Sequence, residues 1–445
     1  MAFHPSNACR FFRPGPVDIT GLLDNLYDNR CPVCGGSKTL PNLAAGPWDD
    51  ILDKIAETLL NEKVSKGAIH PDLYRKTAND LLKAMHEGIG GSSFAVDDSR
   101  NTLKAYLEQN LYAFCAAKSI TEMQQYNELL RTANGDFVTF RNALTVAGYQ
   151  FNIKYLSTEF DTANASAQMA HQWDLLSANN DYLEYSTAHD DKVRPEHAKL
   201  DGLTLSKDSP VWKRLWPPLD WGCRCHVVPG IAAKASSDAQ AGPMVKQVVT
   251  NPLFDFNSGM AKTIFKEDHP YFQHAGEEKT FDAVKNYGLK SIEKLYDDHQ
   301  FPNRITLAGE DDYKSWWQRQ PKHTGSDDIV VTDKLNLKIK FDSVDTHSNK
   351  GKPEAYFKDH VLRKTHENRW QYAANFPEIV ADPDEVWSVR ENNKLIRYYI
   401  RYYNDAPYVV VAGDKKGEIV AETVYQLTKA RATELRRGAL LYAKK

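Results

Sequence analysis

The chain has 445 residues, of which 42% are hydrophobic and 26% charged, and its formal net charge is −3. A single hydrophobic core seldom grows beyond about 250–300 residues, so this length predicts two or three domains. No run approaches the roughly twenty apolar residues of a membrane-spanning helix, and residues 1–13 are too short and too polar for a signal peptide. We therefore expect a globular protein without a membrane segment that starts in the cytosol, where its six cysteines do not build a disulfide scaffold.

The first 150 residues are predicted to be mostly helical. Apolar residues recur at spacings of three and four after Pro47, after Pro71 and between Asn101 and Leu129, and such spacings place them along one stripe of a helix. The glycine- and serine-rich stretch 88–93 separates the second of these helices from the third. We interpret residues 1–150 as a helical bundle without chemistry of its own.

Cys31 and Cys34 are the exception in this region. They are separated by two residues and followed by glycines, a pattern that forms a turn in which both thiolates reach one zinc ion. A structural zinc site normally has four ligands, and only His4 and Cys9 lie near enough in sequence to add one. Reduced surface thiols are the alternative interpretation of this pair.

The segment from Thr187 to Cys225 contains more histidine, acidic and cysteine residues than a packed helix or strand requires. It includes Asp190-Asp191-Lys192-Val193-Arg194-Pro195-Glu196-His197, Leu200-Asp201-Gly202, Pro217-Pro218, Trp221-Gly222 and Cys223-Arg224-Cys225. This order of residues resembles the phage Mu F-like minor head protein family, which includes SPP1-type head morphogenesis proteins. The resemblance spans residues 155–229. It implies a protein of a virion or prophage, packaged with a double-stranded DNA genome, whose partners are capsid and portal proteins.

Six side chains of this segment are candidate metal ligands: His197, Cys223 and Cys225, with His189, His226 or Asp191 as a fourth. Imidazole and thiolate are the ligands that structural zinc prefers, and Gly222 after the Pro-Pro pair allows the kink that a Cys-x-Cys clasp needs. The alternative is that His197 caps a turn while the two cysteines fill a small core beside neighbouring tryptophans. A hydrolytic metal site is less favoured than either, because no His-Glu-x-x-His arrangement is present.

Arg194 and Arg224 lie inside the same segment. A guanidinium group matches the geometry of a carboxylate, so we expect buried ion pairs with Asp191 and Asp201. Both arginines are therefore interpreted as structural.

Residues 151–240 form the Mu F-like module in this interpretation, and residues 241–325 an extended segment that wraps over a neighbour. The small and polar stretch 232–242 predicts a linker. The stretches 252–259 and 269–272 are predicted to be extended.

Residues 326–445 have a different pattern. A helix is predicted from Pro353 to Ala374. Strands are predicted at 386–389, 395–403, 408–411 and 419–424, followed by a closing helix at 425–437. Alternation along 396–403 suggests a sheet with one buried and one exposed face. The fold class is therefore α+β and multidomain, with a helical N-terminal region, a central module, and a C-terminal helix followed by a small antiparallel sheet.

This order of elements resembles the barnase, EndoU, colicin E5/D and RelE-like nuclease domains of phages, which are commonly fused behind Mu F-like head proteins. The residues that carry the resemblance are His360, His366 and Arg369 on the helix, Pro383-Asp384-Glu385-Val386-Trp387 before the first strand, and Arg436-Arg437-Gly438 near the end. The resemblance implies RNA as substrate, a tRNA or another, cleaved by its own 2′-hydroxyl without a metal. It also implies an immunity protein as partner and the virion and the host bacterial cytoplasm as locations.

Such cleavage needs a base, an acid and a cation beside the phosphate. His366 and Arg369 are three residues apart and share a face of the predicted helix, so they are the candidate acid or base and the candidate phosphate clamp. His360 lies about 240° round the helix from His366, so one of the two histidines is predicted to be structural.

The sheet offers further candidate residues for the cleavage: Arg401, Tyr403 and Thr423. Bases are expected to stack on some of the tyrosines among residues 398–403. Two alternatives remain open. Either these histidines and arginines serve cleavage, or they are solvated side chains of an inert adaptor in a purely structural head protein.

Overall fold

The computed structural model describes residues 19–28, 45–61, 64–65, 67–275, 281–343, 357–363 and 368–444. The candidate residues Cys31, Cys34 and His366 lie outside these ranges. Within them, no helix is long and apolar enough to cross a membrane. The α+β fold class is confirmed, since a helical N-terminal region precedes a small sheet and then a larger one.

Helices dominate the chain up to residue 179. They are α1 (Ile19–Asp28), α2 (Ala45–Asn61), α3 (Pro71–Ile89), α4 (Ser99–Thr132), α5 (Phe137–Tyr149) and α6 (Leu156–Asn179), with a π-helical turn at Gln150–Tyr155. The three helices expected from periodicity are confirmed as α2, α3 and α4. The predicted break after the second of them is also confirmed, because α3 ends at Gly90 in the left-handed conformation.

The long helix α4 lies at the centre of the molecule. It is 34 residues long and is buried on nearly every face along its first two thirds. Helices α3, α5, α6 and α10 (Pro270–Ala275) pack against it, and so do strands of the C-terminal sheet. A helix surrounded on all sides loses its amphipathic stripe, which is why several of its charged residues are buried.

The central module contains a three-stranded antiparallel sheet. Its strands are β1 (Tyr182–Ser186), β2 (Thr204–Ser206) and β3 (His226–Pro229), in the order β2-β1-β3. The one-turn helix α7 (Pro195–Ala198) lies between β1 and β2 in the chain. A separate small core fills this module, and its largest members are Tyr185, Trp212 and Trp216.

The segment after β3 is helical where the sequence suggested linker and extended chain, so both of those expectations are wrong. It contains α8 (Asp238–Val248), α9 (Ser258–Ala261), α10, α11 (Ile292–Asp298) and α12 (Glu310–Arg319). A capping box between Ser237 and Gln240 starts α8, and the small alanines that resembled a linker are good helix formers. Helix α9 packs on α6, and α10 on α4.

The C-terminal sheet has seven strands. They are β4 (Ile329–Thr332), β5 (Lys338–Phe341), β6 (Glu385–Glu391), β7 (Lys394–Tyr402), β8 (Pro407–Lys415), β9 (Glu418–Gln426) and β10 (Ala439–Ala443). The order is β10-β6-β7-β8-β9-β5-β4, and every pair is antiparallel except β5 with β9. The four predicted strands are confirmed as β6 to β9. The sheet is larger than expected, because β4, β5 and β10 were not predicted.

The predicted helix from Pro353 to Ala374 is not one regular helix. The structure has α13 (Phe357–Arg363), α14 (Trp370–Ala373) and α15 (Phe376–Ala381). Asn368 has a φ of +46°, which no right-handed helix contains. The closing helix also starts later than predicted, as α16 (Lys429–Leu435), because residues 425 and 426 continue β9.

Candidate functional site

Three of the predicted catalytic side chains meet at one place: His360 on α13, Arg369 just before α14, and Thr423 on β9. Nη1 of Arg369 donates to Nε2 of His360 at 3.2 Å and to the hydroxyl oxygen of Thr423 at 2.6 Å. Arg369 is 9% exposed, while His360 and Thr423 are half-buried. The turn at Asn368 separates the arginine from α13 in the chain and lets its side chain return toward His360.

The contact with Arg369 constrains the role of His360. A guanidinium group has only donors, so a hydrogen bond between them requires an imidazole whose Nε2 carries no proton. A neutral imidazole is a proton acceptor, and an adjacent guanidinium stabilises developing negative charge. The pair therefore has the two chemical properties that cleavage at a phosphate requires of a base and a cation.

Tyr425 completes this cluster and was not among the candidate residues. The guanidinium carbon of Arg369 lies 5.5 Å from the centre of the Tyr425 ring. Residues 423 and 425 are two apart on β9, so both side chains point to the same side of the strand. Continuing the alternation of β9 by two residues would have identified Tyr425, but the sequence had suggested that a helix starts there.

Arg401 and Tyr403 are not part of this cluster. Arg401 binds Glu378 at 2.9 Å and Asp382 at 3.0 Å, and the hydroxyl of Tyr403 donates to Glu378 at 3.0 Å. Arg401 is opposite Tyr408 in the sheet, whereas Thr423 is opposite Val411.

Positions 408 and 411 face opposite sides of β8, so Arg401 and Thr423 lie on opposite faces of the sheet. The expected contribution of Arg401 and Tyr403 to the cluster of His360, Arg369 and Thr423 is therefore not observed.

The other tyrosines among residues 398–403 differ in burial. Tyr399 and Tyr402 are buried, and Tyr398 is half-buried.

The central module brings together the three principal candidate metal ligands. His197 lies on α7, and Cys223 and Cys225 immediately precede β3. Each sulfur lies 3.7 Å from Nδ1 of His197. All three side chains are buried, and their ligand atoms lie within 4.8 Å of one another.

The suggested fourth ligands do not join this group. Among the residues that the structure describes, no further histidine, cysteine or carboxylate meets the same distance limit. His189 is exposed and instead binds Asp201 at 2.9 Å.

The arginines of this module bind other acids than those expected. Arg224 forms two hydrogen bonds with Asp190, at 2.6 and 2.7 Å, and this pair is exposed rather than buried. Arg194 is buried, donates to the carbonyl oxygen of Trp221 at 2.7 Å and lies 3.6 Å from Asp220. The pairing with Asp191 and Asp201 is therefore wrong. Carboxylates at neighbouring positions cannot be distinguished from sequence spacing alone.

Comparison with known proteins assigns two parts of the chain to families. Residues 75–228 match the family of Phage Mu protein F like proteins. Residues 317–443 match the phage-Barnase-EndoU-ColicinE5/D-RelE like nuclease2 family. No solved structure matches the chain significantly.

Three curated proteins are similar over shorter stretches. The Mu-like prophage FluMu F protein of Haemophilus influenzae is 36% identical over 72 residues, which are 16% of this chain and 17% of that protein. The "Putative capsid assembly protein F" of Escherichia phage Mu is 37% identical over 65 residues, 15% of this chain and 14% of that protein. An uncharacterized protein of Methanocaldococcus jannaschii is 30% identical over 131 residues, 28% of this chain and 20% of that protein. The chain thus matches no more than a fifth of the length of any of these relatives.

Proposed function

We infer that this chain, which carries a Phage Mu protein F like domain at residues 75–228 and a phage nuclease domain at residues 317–443, is a minor head protein whose C-terminal domain cleaves RNA. The observation that most supports RNA cleavage by the C-terminal domain is the contact of Arg369 with both His360 and Thr423. The similarity to a protein whose name refers to capsid assembly supports the head part. Its partners are then capsid and portal subunits, in a virion or prophage. A toxic ribonuclease in the host cytoplasm also requires an immunity protein.

The proposed reaction starts with the 2′-hydroxyl of the RNA. His360 takes the hydroxyl proton on Nε2, and the 2′-oxygen attacks the adjacent phosphorus. The phosphate competes with Nε2 for the donors of Arg369, so substrate binding both engages the cation and releases the base. The 5′-oxygen leaves with a proton from an acid, for which His366 is the candidate; this assignment replaces the expectation that one of the two histidines is structural. The products are a 2′,3′-cyclic phosphate and a 5′-hydroxyl, and no metal takes part.

Thr423 has a positioning role in this mechanism. Its hydroxyl accepts from Nη1 of Arg369 and so holds the guanidinium at the end of β9. Tyr425 lies against the same guanidinium and offers a ring face on which a base can stack.

The test uses the full-length protein, purified in wild-type form and as Arg369→Gln, His360→Gln and His366→Gln. Each is incubated with total bacterial RNA with and without EDTA, and the ends of the fragments are analysed. We expect cleavage by the wild type in EDTA, cyclic phosphate ends, and loss of cleavage in Arg369→Gln and His360→Gln. Tyr403→Phe, which removes one hydrogen bond on the other face of the sheet, is the matched control and keeps activity.

The alternative function is a purely structural head protein with an inert C-terminal adaptor. The packing of the C-terminal sheet on α4 favours it, because such packing suits an integral part of a scaffold. An intact RNA pool after incubation with folded wild type would support the adaptor and overturn the nuclease. Cleavage that EDTA abolishes while the protein stays folded would overturn the metal-free mechanism only.

A further inference from the structure

We propose that His197, Cys223 and Cys225 bind one zinc ion, with water as the fourth ligand, and that this ion joins α7 to the start of β3. The proposal concerns the Mu F-like domain and is independent of the nuclease.

The distances among the ligand atoms fit a tetrahedral zinc ion. With zinc–sulfur and zinc–nitrogen bonds of about 2.3 and 2.0 Å, tetrahedral geometry requires sulfur and nitrogen ligands about 3.5 Å apart. Both sulfurs lie 3.7 Å from Nδ1 of His197. Two thiolates and a neutral imidazole also make the zinc site uncharged, which lowers the free-energy cost of burying it.

The backbone holds these ligands from two directions. Pro195 starts α7 and fixes its first turn, which carries His197. Gly222 has a φ of +67°, a left-handed conformation that turns the chain just before the two cysteines. Cys223 and Cys225 are two residues apart in a stretch without regular helix or strand, and both their sulfurs face the same imidazole.

Two buried donors lie beside the thiols: Nη1 of Arg194, which has no hydrogen-bond partner among the described residues, and the hydroxyl of Tyr185, which faces the sulfur of Cys225. Tyr185 interacts electrostatically with both thiols, and Arg194 lines the same small cavity as the three ligands. Metal-bound thiolates are hydrogen-bond acceptors, and groups that donate to them commonly surround zinc sites. These two donors thus mark where the negative charge of a metal-bound sulfur would lie.

A metal at this position would stabilise a small module. Its core is separate from the main core, and its strands are only three to five residues long. Small cores gain much of their stability from cross-links or metals. Zinc binding is therefore expected to contribute to folding of the module.

The first measurement is the zinc content of the full-length protein, expressed with added zinc under reducing conditions and freed of loose metal by gel filtration. We expect one zinc ion per chain. The double variant Cys223→Ser/Cys225→Ser and the variant His197→Gln should lose it. The matched controls Cys31→Ser/Cys34→Ser and His189→Gln should keep it.

A second measurement on the wild type covers the case in which those variants fail to fold. Cobalt replaces zinc in the folded chain, and the absorption spectrum reports thiolate ligands and tetrahedral geometry. A strong chelator should lower the melting temperature, and added zinc should restore it. Wild type without zinc, a Cys223–Cys225 disulfide, or zinc lost only with Cys31 and Cys34 would each overturn the proposal.

Discussion

Arg397 on β7 donates a hydrogen bond of 2.6 Å to Glu108 on α4, across 289 residues of sequence. Glu108 also lies 2.6 Å from Lys104, and Arg397 lies 3.4 Å from Asp333. The side chains of all four are at most 2% exposed. Glu108 belongs to the Mu F-like domain and Arg397 to the nuclease domain, so a buried ionic network joins the two domains.

Removing one charge from this network should destabilise the protein strongly. Loss of one partner of a buried ion pair costs about 3–5 kcal/mol, because the other charge stays buried without compensation. We expect Glu108→Gln to lower the free energy of unfolding by about that amount, since Lys104 loses its carboxylate partner and Arg397 keeps only the more distant Asp333 within this network. Urea unfolding followed by tryptophan fluorescence measures the change.

The matched control for this prediction is Glu128→Gln. Glu128 forms its ion pair with Arg131 on the same helix, but there both side chains are exposed to solvent. Exposed ion pairs contribute little to stability, so this variant should unfold at the same urea concentration as the wild type. Equal shifts in both variants would mean that the buried network does not stabilise the chain.

Thr423→Val tests whether Thr423 positions Arg369. Valine has nearly the same shape but cannot accept the hydrogen bond from Nη1. A hydrogen bond to a charged group contributes about 1.5–3 kcal/mol, so kcat should fall about ten- to hundred-fold. The KM for RNA should change less, because Arg369 itself remains. A loss of activity in Thr423→Val that Tyr403→Phe shares equally would indicate general destabilisation instead.

The long elements could be predicted from the sequence because their own periodicity defines them. Helices α2, α3 and α4 repeat apolar residues every three or four positions, and β6 to β9 follow one another as a meander with tight turns. The turn at Asn392-Asn393, where both residues have positive φ, joins β6 to β7 in this way. The strands β4, β5 and β10 are short, and β5 and β10 pair with strands far away in the chain, so local patterns do not reveal them.

The candidate sites could be predicted only in part. The concentration of histidine, cysteine and acidic residues between residues 187 and 225 was enough to identify His197, Cys223 and Cys225 as a group. His360, Arg369 and Thr423 could each be named from the sequence, but their meeting depends on the left-handed turn at Asn368 and on the pairing of β9. Neither of these leaves a periodic signal.

At Gly88 the backbones of α3 and α6 approach each other closely. A Cβ atom at this position would lie 2.3 Å from the carbonyl oxygen of Asn164. Because a backbone atom cannot turn aside as a side chain can, we expect Gly88→Ala to destabilise the protein by about 1–3 kcal/mol. Thermal unfolding of the variant and the wild type measures this loss of stability. Gly242→Ala, on α8 with nothing within 4 Å apart from its chain neighbours, is the comparison; the following Pro243 disfavours a Cβ on a helical residue and offsets the gain in helix propensity, so the change should be below about 1 kcal/mol.

Glu122 should make stability fall as the pH rises toward neutrality. Its carboxylate on α4 accepts hydrogen bonds from Tyr126 and Asn152, both at 2.8 Å, and burial raises its pKa from 4.5 to about 7. Between these two values the folded chain keeps a proton that the unfolded chain releases. The contribution of Glu122 to the free energy of unfolding is therefore fully present below about pH 4.5 and is lost as the pH rises through about 7.

The variant Glu122→Gln isolates this effect because glutamine never ionises. Its amide is expected to leave one donor unsatisfied, since Oε1 of Glu122 has no hydrogen-bond partner among the described residues, but that cost is the same at every pH. Each pKa unit corresponds to about 1.4 kcal/mol, so the stability of Glu122→Gln relative to wild type should increase by about 2–3 kcal/mol between pH 5 and pH 8. Urea unfolding of both proteins at four pH values measures this difference. A difference that stays constant over the range would show that Glu122 is already ionised in the folded chain at pH 5.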